Sequence, residues 1–576
     1  MRLDKFVVTK VHEHFTKRLK KMSTKLFDFL SHLFIMVSAI CLSSCAADTY
    51  KGHVVNIIDG TVTDAAIVVK DGIISSITPC KVPDDAPYYL PGFIDSHVHI
   101  ESSMMLPTEF ARIAKRHGTI GALCDPHEIA NVLGVPGVEL MLDNAKQTDF
   151  YFGFGASSCV PSCGTDIETS GEILDCGAVA SLLERDDIFM LSEMMNYPGV
   201  LNGDPEVLAK IEAARQAGKP VDGHAPGLRG EDRNRYAAAG ISTDHECTQL
   251  DEGRDAVASG MIVQIREGSA SKNYEALAPL IAECPERLMF CTDDAHPGDL
   301  VNGNINLIVK RAIKDGYPVM DVLRMACLNP VRHYGLKSGL LQVGDSADFI
   351  AITDLSADFE VIATVLHGVR QDDAQSKEFE LQDWHSRCEA VPISAEDIAY
   401  TDEDATCIPQ IVATDGLLYT DLYSGPKDSH SQKLVAYNRY TPGARPQVAY
   451  VRGFELAHGA IAQTIAHDCH NIIAVGSDDE MIVDMINRVI SMKGGIAATD
   501  GSETVELPLT IGGILSDLPG DELAEINSKL EQTVRQSGCV FNAPFITLSF
   551  MSLPVIPQLK LTDKGLFDGN TFQFIQ

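Results

Sequence analysis

The stretch Pro91-Gly92-Phe93-Ile94-Asp95-Ser96-His97-Val98-His99 constrains this chain more than any other. A short apolar run delivers two histidines spaced by one residue, and on an extended strand residues i and i+2 share a face. Both imidazoles can therefore reach one ion. Alone, such a pair is more often a surface or core accident than a ligand set. What strengthens it lies downstream, where Glu193, His224, His245 and Asp293 each close another short apolar run. Imidazole nitrogen with carboxylate oxygen suits Mn, Fe or Zn, and the lack of a clustered thiolate set argues against a structural zinc.

The spacing of those runs suggests how the residues are brought together. Apolar segments at 93–97, 119–124, 152–156, 188–192, 221–223, 241–244, 261–265 and 288–292 alternate with longer helical patterns. Eight strands with helices between them predict a (β/α)8 barrel, whose active site lies at the C-terminal ends of its strands. His97, His99, Glu193, His224, His245 and Asp293 all fall there. Residues 50–77 are β-rich runs punctuated by Asp59-Gly60 and Asp71-Gly72, the pattern of a small antiparallel sheet, and 339–369 read as its other half. The expected architecture is therefore α/β. A catalytic barrel (91–335) is inserted in a small β-sandwich domain (46–90 with 336–370). A linking region (371–427), which carries the only tryptophan, Trp384, leads to a C-terminal α/β domain (428–576).

Composition narrows the partners. At 576 residues the chain exceeds one compact core, and 45% apolar residues is a globular value. A net charge of −34 removes the basic footprint that nucleic acid requires. Residues 1–45 differ in kind: eight Lys/Arg against three Asp/Glu give +5, leaving −39 on the rest. They hold the run LFIMVSAICL (33–42) and then Leu42-Ser43-Ser44-Cys45, which is similar to a lipoprotein cleavage box. The run is too short for an ordinary transmembrane helix. It reads equally as a signal segment, which would place lipid on Cys45 and the chain at a membrane, or as a plain extension, with Met22 as an alternative start. Fifteen scattered cysteines without a Cys-x-x-Cys pair read as free thiols and point to the cytoplasm.

Beyond PGFIDSHVHIESSMM, the chain carries CDPHEI (124–129), EMMNYPGV (193–200), DGHAPGL (222–228), DHE (244–246), IREGSA (265–270), TDD (292–294), AHDCHNI (466–472) and LSFMSLPVIPQLKLTDKGLFD (548–568). Together these closely resemble the bacterial adenine deaminase family of the amidohydrolase superfamily, over roughly residues 46–576. Asn196 and Cys469 depart from the family pattern, at positions where Asp and Ser are common. The resemblance implies a homo-oligomeric enzyme of purine salvage that turns adenine into hypoxanthine and ammonia. It implies two divalent ions, Mn2+ foremost with Fe2+ and Zn2+ as alternatives. His97 and His99 would hold the more buried ion, Glu193 would bridge, His224 and His245 would hold the second, and Asp293 would complete the site.

Neutral water is too weak a nucleophile to attack an aromatic carbon, and two divalent ions acidify a bridging water enough to yield hydroxide near neutral pH. Asp293 is expected to act as general base, with Glu267 and Asp294 as further catalytic candidates. His127, Glu128, Arg266 and Ser158 are the candidates for holding the purine, although Glu128 and Asp294 could instead orient a liganding histidine, and the segment around Ser158 could be a plain βα turn. His467 and His470 read as polar cap or interface residues. Two rival readings remain: an amidohydrolase for another amino-purine or cyclic amide, and a membrane-tethered binding protein that keeps the barrel without activity.

Overall fold

The computed structural model describes residues 47–371, 373, 387–400 and 406–575. The segment 1–45, with Met22 and Cys45, and Trp384 lie outside the described residues.

Eight parallel strands form the barrel: β1 (Phe93–His99), β2 (Thr119–Cys124), β3 (Tyr151–Ala156), β4 (Ile188–Met194), β5 (Val221–Gly223), β6 (Thr243–Asp244), β7 (Ile262–Arg266) and β8 (Leu288–Cys291). The first five pair in sequence, a bridge from Val221 to Ile241 carries the ring onward, and β6 to β8 pair in turn. The two-residue strand Asp293–Asp294, just past β8, closes it by pairing with β1, Asp293 opposite Val98 and Asp294 opposite His99. Every residue of β1 and β2 is buried, as expected of parallel strands covered on both faces.

The small β-domain draws on both flanks of the barrel. Its strands run in the order Val369–Arg370, Val361–Leu366, Phe349–Ile352, Tyr88–Leu90, Asp48–Asn56, Thr61–Lys70, Ile73–Pro79. The seven strands form one hydrogen-bonded sheet that curls over its own core of Ile67, Tyr89, Phe349 and their neighbours. The curl brings the far strand back to the segment after the barrel, where Ile74 N–H donates to Asp345 O and Gly344 N–H to Ile74 O.

The C-terminal domain is an eight-stranded sheet backed on one side by the helix Asp479–Ser491, whose first turn is capped by the Asp478 carboxylate. Its boundary lies earlier than 428. Ile408–Val412 and Asp421–Gly425, inside the expected linking region, are strands of this sheet, with Ile408–Val412 paired to both Asp421–Gly425 and Gln447–Arg452. Prolines and glycines around these short runs disguise them as linker. The other face of the sheet shares one continuous apolar core with the barrel, from Val55 through to Leu561. The loop between the strands Ala460–Gln463 and Ile472–Gly476 is thereby seated over the barrel mouth.

Candidate metal centre

The strand ends converge on Glu193. Its Oε1 lies 3.2 Å from His99 Nε2 and 3.9 Å from His97 Nε2, while its Oε2 lies 2.7 Å from His224 Nδ1 and 3.2 Å from His245 Nε2. Asp293 Oδ1 stands on the first side, 3.0 Å from His99 Nε2 and 3.6 Å from His97 Nε2. One carboxylate thus offers an oxygen to each of two histidine pairs. The His97 and His245 rings stack at 4.1 Å, which sets the two pairs side by side.

Apart from the 2.7 Å hydrogen bond between His224 and Glu193, hydrogen bonding leaves much of the cluster unsatisfied. Both ring nitrogens of His97 are buried without a hydrogen-bond partner, as are His224 Nε2 and His245 Nδ1. His99 Nδ1 lies 3.1 Å from the Asp125 carbonyl, so Nδ1–H donates there and Nε2 is left with its lone pair toward the carboxylates. Four imidazoles and two carboxylates are a suitable ligand set for a pair of divalent ions. The residues present therefore fit the expected group.

Electrostatics tie the cluster together without metal. Burial raises the Glu193 carboxyl, but His224, His245 and His99 outweigh it and hold the group well below its usual range. Burial likewise opposes ionisation of Asp293, yet Arg266, His97 and His99 keep it well below its ordinary value. Burial lowers His224, while Glu246 and Glu193 more than compensate and push it up to about 9. Asp293 also sits at φ 58°, in the left-handed region, a strained setting that an Asp tolerates better than most residues.

A small cavity opens above the donors, walled by His127, Glu128, Asp294 and Glu246 and roofed from the C-terminal domain by Leu418, His467, Asp468 and Leu553. Asp294 lines it and accepts a hydrogen bond from Ser102 Oγ at 2.5 Å. His127 and Glu128 line it too. His127 Nδ1 is 3.3 Å from Glu193 Oε1 and 3.1 Å from Asp125 Oδ2, and Glu128 meets His467 and His470. The last two are buried where the C-terminal loop meets the barrel, an interface position rather than a polar cap.

Two of the expected residues stand apart from the cavity. Glu267 faces away from the cavity, with its carboxylate 3.0 Å from Arg311. Side chains alternate along β7, so where Arg266 points inward its successor points out. Gly268 belongs to the same close turn, since a Cβ there would run into the carbonyl oxygens of Thr292 and Asp294. Ser158 does not line the cavity either: its Oγ donates to the Glu193 carbonyl at 2.5 Å, steadying the bridging residue from behind. Arg266 lines the wall, with its guanidinium held between Asp293 and Glu246. The sequence reading passed over Asp125, Glu246 and Asp468. Each stands within two residues of a histidine in a quoted motif, DPHE, DHE or HDCH, and that proximity was the available signal.

A closed parallel barrel with a bridging carboxylate between two histidine pairs defines a metal-dependent hydrolase of the amidohydrolase type, and residues 88–370 match the model of the amidohydrolase family. Residues 414–573 match the adenine deaminase C-terminal domain. The chain is 47% identical over 549 residues to an adenine deaminase of Salinibacter ruber, covering 92% of this chain and 99% of that one. It is 48% identical over 540 residues to one of Sulfurovum sp. (91% and 98% covered) and 42% over 552 residues to one of Methanosarcina mazei (91% and 98%). The chain belongs to the adenine deaminase family.

Proposed function

We propose that this chain hydrolyses adenine to hypoxanthine and ammonia. The observation that carries the reading is Glu193 set between two histidine pairs under a small cavity, in a chain of this family. His97, His99, Glu193 and Asp293 would hold one ion, and Glu193, His224 and His245 the other. When bound, the two ions supply Lewis acidity that lets water ionise near neutral pH.

The chain's own groups then handle the protons and the ring. Oxygen adds to C6 and the bond from C6 to the exocyclic nitrogen breaks, so one proton must reach ring nitrogen N1 and another the departing amine. Asp293, kept ionised by Arg266, takes a proton from the attacking water and returns it to the amine. Asp294, on the cavity wall, holds the purine edge. Met195, Leu418 and Leu553 supply apolar surface for the ring and exclude water.

Manganese as the native ion, a homo-oligomeric assembly and a cytoplasmic location belong to the same proposal. The nitrogen and oxygen donors support the first. The thirteen described cysteines, all free, support the last. Among the described residues no helix is long and apolar enough to cross a membrane. The test is turnover of free adenine against adenosine, guanine and a hydantoin, with protein loaded with Mn under iron-depleted conditions. Adenine turnover that stops with chelator and returns with metal is the expected result. A metal-loaded protein that turns over only another of these compounds overturns the substrate.

A further inference from the structure

The segment LSFMSLPVIPQLKLTDKGLFD holds a lysine to which the reaction gives no task. Lys560, on the strand Leu559–Thr562, is fully buried, and among the described residues no carboxylate pairs with it. Its Nζ donates instead to two carbonyl oxygens, Leu418 O at 2.5 Å and Phe550 O at 2.9 Å. We propose that Lys560 is a positioning residue for the substrate, acting through these two carbonyls to set the apolar roof of the cavity. This rests on the reading that the cavity holds the substrate of the proposed reaction.

Both carbonyls belong to roof segments. Leu418 itself covers the cavity, and the Phe550 carbonyl also accepts from Leu553 N–H at 3.2 Å, so one oxygen joins the lysine to the other leucine of the roof. The Phe550 ring meets His467, a third roof residue, edge-on at 5.2 Å. One amine thus gathers three of the four side chains that the C-terminal domain places over the site. Neither leucine lies in a helix or a strand, so no ladder sets its height over the donors. Lys560 supplies that reference from a paired strand, where it stands opposite Phe567. Thr420 fastens the end of the Leu418 segment to the same strand, its Oγ1–H donating to Leu559 O at 2.8 Å.

The choice of lysine follows from the chemistry of the spot. A charge buried without a partner is costly, and burial pulls this amine down to about 7. An uncharged amine carries two N–H donors, one for each carbonyl, and leaves none unsatisfied. An apolar side chain would fill the same space without fixing either carbonyl.

The test is Lys560→Met, which keeps the bulk of the side chain and removes its donors, in full-length metal-loaded protein. KM for adenine is expected to rise about five- to tenfold, with kcat and metal content within about twofold of the wild type, because the roof binds substrate and takes no part in the bond changes. A KM within about twofold of the wild type, whatever happens to kcat or to melting temperature, reduces Lys560 to a structural residue and overturns the proposal. Should this variant fail to fold, Lys560→Gln replaces it: two uncharged N–H donors on a stem one bond shorter, an expected KM rise of about three- to fivefold, and the same criterion for failure. Hydrogen exchange read by mass spectrometry separates the roof from the substrate assignment. Either variant should speed exchange in 414–420 and 550–553 and leave the barrel strands as in the wild type. Unchanged exchange in both segments also overturns the proposal. Faster exchange there, in a protein whose wild type does not turn over adenine, keeps the roof assignment, removes adenine as the substrate, and passes the KM criterion to the compound that is turned over.

Discussion

The two sides of the cavity are built by different means. On the barrel side, donors ride on strand ends, and pairing register sets their height: Asp293 lies opposite Val98 and Asp294 opposite His99. On the other side His467, Asp468 and His470 ride on one loop, held by individual bonds. His467 N–H donates to Ser549 Oγ at 3.1 Å, Tyr440 Oη–H to the Cys469 carbonyl at 2.6 Å, and Asn471 Nδ2–H to the Thr169 carbonyl at 2.8 Å. A closed barrel fixes its donors cooperatively, whereas a loop placed by side-chain bonds depends on domain docking. Damage on the barrel side should therefore fall on chemistry and the two ions around Glu193, and damage on the loop side on closure.

The sharpest way to break this contrast is Glu193→Gln. An amide cannot offer an anionic oxygen to both histidine pairs, and loss of the shared bridge should lower adenine turnover by about 10⁴-fold. Metal content should fall with it. A Gln variant that keeps its ions and more than a tenth of the rate would show that Glu193 is not the hinge of the site.

Asp293→Asn comes next. The general-base role predicts a loss of roughly 10²- to 10⁴-fold in kcat. Removing only one donor, while His97, His99 and Glu193 remain, should leave most of the metal in place. Normal turnover with full metal content would leave Asp293 as a ligand alone.

The strand-end donors were also the legible ones. Histidines i and i+2 on β1, and acidic or histidine residues closing later apolar runs, carry their meaning in local periodicity. Glu267 misled because a motif gives residue identity but not the face of the strand, and Arg266 already holds the inward one. The capture of Glu128 by His467 and His470 was out of reach because the partners are about 340 residues apart in sequence. Nothing local encodes that docking. The strands Ile408–Val412 and Asp421–Gly425 were missed for another reason: they are short, pair mainly with each other and are interrupted by proline and glycine, and only Ile408–Val412 reaches on to Gln447–Arg452.

Acidity sharpens the comparison from the metal-free side. His224 is pushed up to about 9 by Glu246 and Glu193 against burial, from about 6.5 in an unfolded chain. Because the folded value is the higher one, the bound proton stabilises the metal-free fold fully below about pH 6.5, and that stability is lost as pH rises through about 9. Metal requires the neutral ring, so over the same interval its affinity should rise, by up to about tenfold per pH unit from this group. Melting of chelated protein and competition titrations across the window read both effects. His224→Asn should flatten the two curves, and a chelated wild type whose His224-dependent stability increases with pH would contradict the assignment.

The smallest expected effects separate the two sides most cleanly. Ser158→Ala removes the bond to the Glu193 carbonyl and Tyr440→Phe removes the bond to the Cys469 carbonyl. Each should cost about 1 kcal/mol of stability, the usual net worth of one hydrogen bond. Their functional signatures should differ. Ser158 supports a residue already fixed by strand pairing, so its loss should move kcat and KM by less than about twofold. Tyr440 supports a loop with few other anchors, so its loss should raise KM severalfold at nearly constant kcat, the mark of a weakened cavity roof rather than altered chemistry. Equal shifts in the two variants would mean that loop and strand ends form one cooperative unit, and the distinction between the two sides of the mouth would disappear.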